Sequence, residues 1–207
     1  GFDVISSHIQ LNTTYFDSLG VWGTSYNGIY RFDVDQVLRF KPPHLYLRNI
    51  RVDNQNVLWS LLKEVNNEKR DSLMLLNESF LKYGKPADSE KVKELLAGFG
   101  KIKFDSLQNG SLIPENLRLP YKNNNITFEF AAISPSFGKY TQYRYKLDGY
   151  DKNWSPLSSK DEAYFGNMSE GKYTFHLEAK SAFGTISTLN YSFKVLPPWW
   201  RTWWAYA

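Results

Sequence analysis

Between Tyr143 and Asp148 the chain alternates without interruption, with Tyr143, Tyr145 and Leu147 on one face and Arg144, Lys146 and Asp148 on the other. That is the period of a strand with one dry side. Three other segments repeat it: Ile126, Phe128, Phe130 and Ala132; Tyr173, Phe175, Leu177 and Ala179; Leu189, Tyr191, Phe193 and Val195. Strands of this kind must bury their apolar faces against a second layer. The pattern therefore predicts a mainly β protein, an antiparallel immunoglobulin- or fibronectin-like sandwich. Its expected core includes Phe128, Phe130, Tyr145, Leu147, Trp154, Tyr173, Phe175 and Phe193. Gly149 permits a tight turn after the Tyr143 strand, and Trp154 is expected to plug the corner it leaves.

Before this block, Gly20–Thr24, the Asn27-Gly28 turn and Ile29–Phe32 read as a hairpin. Lys41-Pro42-Pro43 reads as an extended connector, and His44–Val52 as the first sandwich strand. Residues 57–99 change period. Leu58, Leu61, Leu62 and Val65 form one helical stripe, and Leu73, Leu76, Phe80 and Tyr83 a second. A third helix starts at Asp88 or Ser89 as N-cap, runs through Val92, Leu95 and Leu96, and is expected to stop at Gly98. All three stripes are predicted to pack on one another or on the sandwich. The chain is thus divided into an N-terminal segment 1–43, a sandwich 44–196 interrupted by the helical insertion 57–99, and a tail 197–207.

With 42% hydrophobic and 17% aromatic residues over 207 positions, the chain has ample material for a packed core. Its 25 basic and 21 acidic residues are scattered, so no cationic patch for nucleic acid is expected. Cysteine is absent, which suits a cytosolic or a bacterial envelope protein. His8, His44 and His176 are far apart and show no metal-ligand spacing. Gly23–Asn27 departs from a nucleophile elbow, because Asn27 stands where glycine is needed. Asp148, Asp151, Asp161 and Glu162 cluster at turns and read as turn chemistry. No catalytic, cofactor-binding or metal-binding residue is assigned, no cofactor is expected, and no ligand-binding residue is identified. No stretch has the length and hydropathy of a spanning helix, so the chain as given is expected to be soluble. The tail nevertheless carries Trp199, Trp200, Trp203, Trp204 and Tyr206, a density of rings that belongs at a bilayer interface. It is read as membrane-proximal.

Five motifs in order carry a family resemblance: Asn124–Ala132, Tyr143–Asp151, Trp154, Gly171–Phe175 and Pro197–Trp200. Together they resemble the Y_Y_Y domain, with Tyr143, Tyr145, Gly149, Tyr150 and Trp154 as its structural motif. The hairpin at 20–32 is similar to the closing strands of a two-component-regulator β-propeller blade. The resemblance implies the periplasmic sensor region of a hybrid two-component histidine kinase of Bacteroidetes type, an inner-membrane protein. It further implies a homodimer in the full receptor, a propeller of its own before this segment, a transmembrane helix after it, an oligosaccharide as the sensed ligand, and a kinase beyond residue 207. Residues 57–99 depart from the family pattern. The rival reading is a carbohydrate-binding sandwich module of a secreted or surface glycan-processing protein, with Tyr26, Tyr30 and Tyr164 as candidate stacking rings.

Overall fold

A computed structural model describes residues 13–17, 20–25, 28–32, 42–65, 72–108, 111–133, 141–181 and 184–201. The chain divides into two compact units, residues 1–41 and 42–207. In the first, β1 (Thr13–Asp17), β2 (Gly20–Ser25) and β3 (Gly28–Phe32) form an antiparallel meander in that order. Its β2–β3 register places Ser25 opposite Gly28, so Gly28, expected in the turn, is instead the first residue of β3, and Asn27 lies outside the described residues.

The second unit is the sandwich. One sheet has the order β10 (Gln142–Asp148), β12 (Gly171–Lys180), β13 (Ile186–Val195), β8 (Leu117–Leu119). The other has the order β11 (Glu162–Phe165), β9 (Ile126–Ile133), β4 (His44–Val52), β5 (Gln55–Asn56). All pairs are antiparallel except β13–β8, which run parallel. The β4–β5 hairpin turns on Asp53 and Asn54, both at positive φ as a type I′ turn requires. A two-stranded ribbon, β6 (Ser106–Leu107) with β7 (Pro114–Glu115), lies beside the sandwich, where the buried Tyr191 hydroxyl donates to Pro114 O at 2.6 Å.

The alternation read from sequence sets the inner faces. Phe128 and Phe130 of β9 meet Phe175 of β12, and Phe128 stacks on Phe175 with centroids 4.3 Å apart. Leu147, Tyr173 and Phe193 are buried with them, and Tyr145 is half-buried against Phe130, Phe165 and Phe175. Trp154 is a correction: it is 39% exposed and lies outside the core.

Three helices occupy the insertion: α1 (Trp59–Val65), α2 (Ser72–Tyr83) and α3 (Ser89–Phe99). Leu58, Leu61 and Leu62 are buried as expected, together with Trp59, which meets Phe104 edge-on at 5.9 Å. Helix α3 is capped by Asp88, whose carboxylate accepts from Lys91 N at 2.8 Å. It continues one residue past Gly98, to Phe99, and buries Leu95 and Phe99. These side chains join the same hydrophobic cluster as the sandwich core, so the insertion extends the core.

Helix α2 is turned the other way from its expected orientation. Leu73, Leu76 and Phe80 face outward, while Glu78 and Ser79 are buried; of the expected stripe, Tyr83 alone packs against the core. The reason is polar. The Glu78 carboxylate accepts from Trp59 N and Ser60 N at 2.9 Å each, and so caps α1 from a neighbouring helix. Lys82 Nζ donates to Glu78 Oε1 at 2.7 Å and to Val57 O at 2.6 Å. This pair outweighs the leucine stripe in deciding which face turns inward.

Candidate functional site

The Tyr143 strand is held on both sides. Along one edge it pairs with β12 from Gln142 opposite Lys180 to Asp148 opposite Thr174. Along the other, the segment at Ser155–Ser158 doubles back on it: Tyr143 N donates to Ser158 O at 2.7 Å, Ser158 N to Tyr143 O at 2.9 Å, and Ser155 N to Tyr145 O at 2.8 Å. The edge is therefore closed, as exposed sheet edges in stable domains tend to be. Inside, the Tyr143 ring meets Phe130 at 5.1 Å and its oxygen accepts from Ala132 N at 3.1 Å, tying the two sheets together. Burial pushes the Tyr143 phenol above its ordinary pKa, and Tyr145 is raised for the same reason.

The turn that follows is specific. Asp151 N donates to Leu147 O at 2.8 Å, and Asp151 Oδ2 accepts from Leu147 N at 2.9 Å, so Asp151 is turn chemistry as read from sequence. Gly149 sits at φ +93°, and a Cβ there would stand 3.0 Å from the Tyr173 ring and 3.2 Å from Lys172 O. Gly84 also has positive φ, +71°, but faces nothing within 4 Å. Gly149→Ala is expected to cost about 2–3 kcal/mol and Gly84→Ala only the left-handed strain of roughly 1–2 kcal/mol. Thermal melts of the two variants check this; equal losses would remove the packing argument.

Tyr150 leaves the turn half-exposed, its ring edge-on to Phe165 at 5.6 Å and its hydroxyl donating to Gly166 O at 3.1 Å. Trp154 lands on the solvent face of the sheet because the chain turns away at Gly149 and returns along the outside of β10. There the Arg144 guanidinium lies over the indole at 5.1 Å, and Arg144 Nε donates to Glu178 Oε2 at 2.6 Å. The same face carries Lys146 Nζ 2.9 Å from Asp148 Oδ1, and His176 donating from Nε2 to Asp148 Oδ2 at 2.8 Å. The His176 Nδ1 stands 2.8 Å from Asn190 Oδ1. Hydrogen bonds from Lys146 first and His176 second hold the Asp148 carboxyl below its usual range. His176 thus lies on the polar face, as its register predicts. On the opposite sheet, Asp161 and Glu162 are ion-paired: Arg48 stands 3.3 Å from Asp161, and Arg51 2.7 Å from Glu162.

At the end of β13 the chain stays attached to the sandwich. Leu196 N donates to Leu119 O at 2.8 Å, continuing the parallel pairing with β8. Pro198 is buried, a 3₁₀ turn covers Trp199–Arg201, and Trp200 meets Tyr121 edge-on at 6.1 Å. Arg201 Nη1 pairs with Glu170 Oε1. Trp200 is half-exposed and outside the core. The Trp199 side chain, Trp203, Trp204 and Tyr206 lie outside the described residues, as does Tyr26. Of the other candidate stacking rings, Tyr164 is exposed on β11 and Tyr30 half-buried in the N-terminal unit.

The asparagine run before β9 binds this end together. Asp53 accepts from Asn123 Nδ2 at 2.8 Å and Asn125 Nδ2 at 2.9 Å, while Asn124 Nδ2 donates to Met168 O at 2.9 Å. Sequence reading found neither these ties nor those of Tyr121 and Glu170 to the exit. Their partners are tens of residues away, and no local pattern announces them.

Among the described residues no helix is long and apolar enough to cross a membrane. No curated protein matches the sequence. Among solved structures, the chain is similar to the extracellular domain assigned to a one-component system of B. thetaiotaomicron, at 18% identity and TM-score 0.46 over 93% of this chain. It is also similar to the extracellular domain assigned to a hybrid two-component system of the same organism, at 16% identity and TM-score 0.45 over 89%. The matches span only 21% and 19% of those longer chains. It is the Y_Y_Y domain family whose model the chain matches, over residues 136–196 that hold the Tyr143 strand, its turn and the strands leading to the exit.

Proposed function

We propose that this chain is the extracytoplasmic sensor and relay module of a hybrid two-component histidine kinase, the periplasmic part of an inner-membrane protein. It passes the sensing of a ligand, an oligosaccharide by family resemblance, to a kinase elsewhere in the receptor through rearrangement of a homodimer. The chain itself is not the catalyst. The observation that carries the reading is the exit: β13 runs from the middle of the sheet to Val195, and the next six residues remain bolted to the sandwich through Leu119, Tyr121 and Glu170. Movement of the sandwich is therefore delivered to the Trp-rich segment without slack, and Pro197-Pro198 stiffens the step.

In the intact receptor, replacing Pro197 and Pro198 by Gly is expected to reduce ligand-dependent kinase output severalfold while ligand affinity stays unchanged. Undiminished output would refute the stiff relay. Calorimetric titration of this chain with oligosaccharides separates the relay from the rival sugar-binding module, which requires direct binding here.

A further inference from the structure

Helix α2 presents four large apolar side chains to solvent: Leu73 is 64% exposed, Leu76 41%, Phe80 50% and Leu81 79%. Its inward side carries Glu78, Ser79 and Lys82, with Leu75 and Tyr83 partly buried against the core. A helix packed in this way leaves Leu73, Leu76, Phe80 and Leu81 as unpartnered surface. Contiguous exposed apolar patches on this scale mark interaction sites.

We infer that this face of α2 is a self-association surface, and that its occupant is the α2 helix of a second copy packed antiparallel about a twofold axis. The inference concerns which surface pairs and stands whether or not the chain is a signalling relay. Three observations select a second copy. Leu73, Leu76 and Phe80 follow the a, d, a spacing of a heptad seam, the spacing that two helices share when they pack side by side, while Tyr83, next in that series, turns inward and donates to Asn56 O. No charged residue stands on the exposed stripe, since Glu78 and Lys82 are turned inward, so two copies meet without repulsion between like charges. A single polar side chain, the exposed Asn77, lies midway along the stripe. An amide is both donor and acceptor, so about a twofold axis Asn77 satisfies its own copy and sets the register, as one buried asparagine does in coiled coils. A membrane surface would instead favour cationic residues beside the stripe.

The four side chains offer on the order of 400 Å² per copy, about half of what a standard interface buries on each side. The association of this chain alone is accordingly weak, and it strengthens where a membrane raises the local concentration. Helix α3, next in the insertion, reaches the exit end of the sandwich, where Gly98 O lies 3.5 Å from Asn123 Nδ2. Pairing through α2 therefore places the seam one helix before the element that reaches the exit end.

The chain has no cysteine, so a single introduced thiol reports the geometry cleanly. Under mild oxidation, Asn77→Cys is expected to form disulfide-linked dimers at least tenfold faster than Glu90→Cys, which is also exposed but on α3. Adding Phe80→Glu to Asn77→Cys should abolish that advantage while lowering the melting temperature by only a few degrees, because half of Phe80 already faces water. Sedimentation of the unmodified chain should show a concentration-dependent dimer that Phe80→Glu removes. Equal crosslinking of the two thiols, or a chain that stays monomeric at millimolar concentration, would overturn the inference. So would binding of the unmodified chain to anionic phospholipid vesicles that Phe80→Glu abolishes while no dimer forms, since the occupant would then be a bilayer.

Discussion

Phe128→Ala is expected to destabilise the sandwich by about 4 kcal/mol, near the upper end of what truncating a buried ring costs. Phe128 is fully buried and stands where the two sheets meet. It stacks on Phe175 and also touches Phe165, Tyr191 and Phe193, rings drawn from three strands across both sheets. The loss has two parts: the transfer energy of the ring, about 2–3 kcal/mol, and the void left among aromatic neighbours that cannot collapse into it. Phe128→Leu keeps most of the volume and should cost no more than about 1.5 kcal/mol. Urea denaturation of both variants gives the measurement. The alanine midpoint should fall well below the leucine one with an unchanged slope. Similar midpoints would mean that the rings do not form one packed stack.

Glu78→Ala is expected to cost about 3–5 kcal/mol, although it adds no apolar void of consequence. The carboxylate is fully buried and satisfies two backbone amides at the start of α1, the Ser60 hydroxyl and the Lys82 ammonium. Removing it leaves that ammonium buried without its counter-charge and two amides without an acceptor. Replacing both partners by Met should cost less than Glu78→Ala alone, because no buried charge is then left behind. A double-mutant cycle measures the difference, and additive single losses would show that the pair is not coupled.

The pH dependence provides a separate check on the same pair. Burial, partly offset by Glu78, holds the folded-state pKa of Lys82 below its ordinary value of 10.5. Between the folded and unfolded pKa values the unfolded chain binds more protons, so stability rises with pH through that window. Below the folded pKa the cost of burying the ammonium is paid in full. Without Glu78 the folded pKa drops further, and the rise should begin at lower pH in Glu78→Ala than in the unmodified chain. Coincident profiles would show that Glu78 does not support the Lys82 charge.

The inner faces of the sandwich were legible in the sequence because a strand's side-chain period is local. Tyr143 and Leu147, or Phe128 and Phe130, share a face whatever surrounds them. The Asp151 turn was legible for a similar reason, since it bonds Leu147 four residues back, whereas the close approach of Tyr173 and Lys172 to Gly149 was not. The helices of the insertion could be located too, down to the Asp88 cap, from spacing and capping chemistry. The same logic failed where a residue's position depends on a distant partner. Trp154 reads as a core plug by size alone, yet the path of Ser155–Ser158 along β10 carries it to the solvent face, where Arg144 covers it. Periodicity shows that α2 has a leucine side and a polar side, but not which of them turns inward. That was decided by the tertiary structure, which sets the free amides of Trp59 and Ser60 within reach of the Glu78 carboxylate. A buried helix end must find an acceptor, whereas leucines tolerate water at a modest cost each.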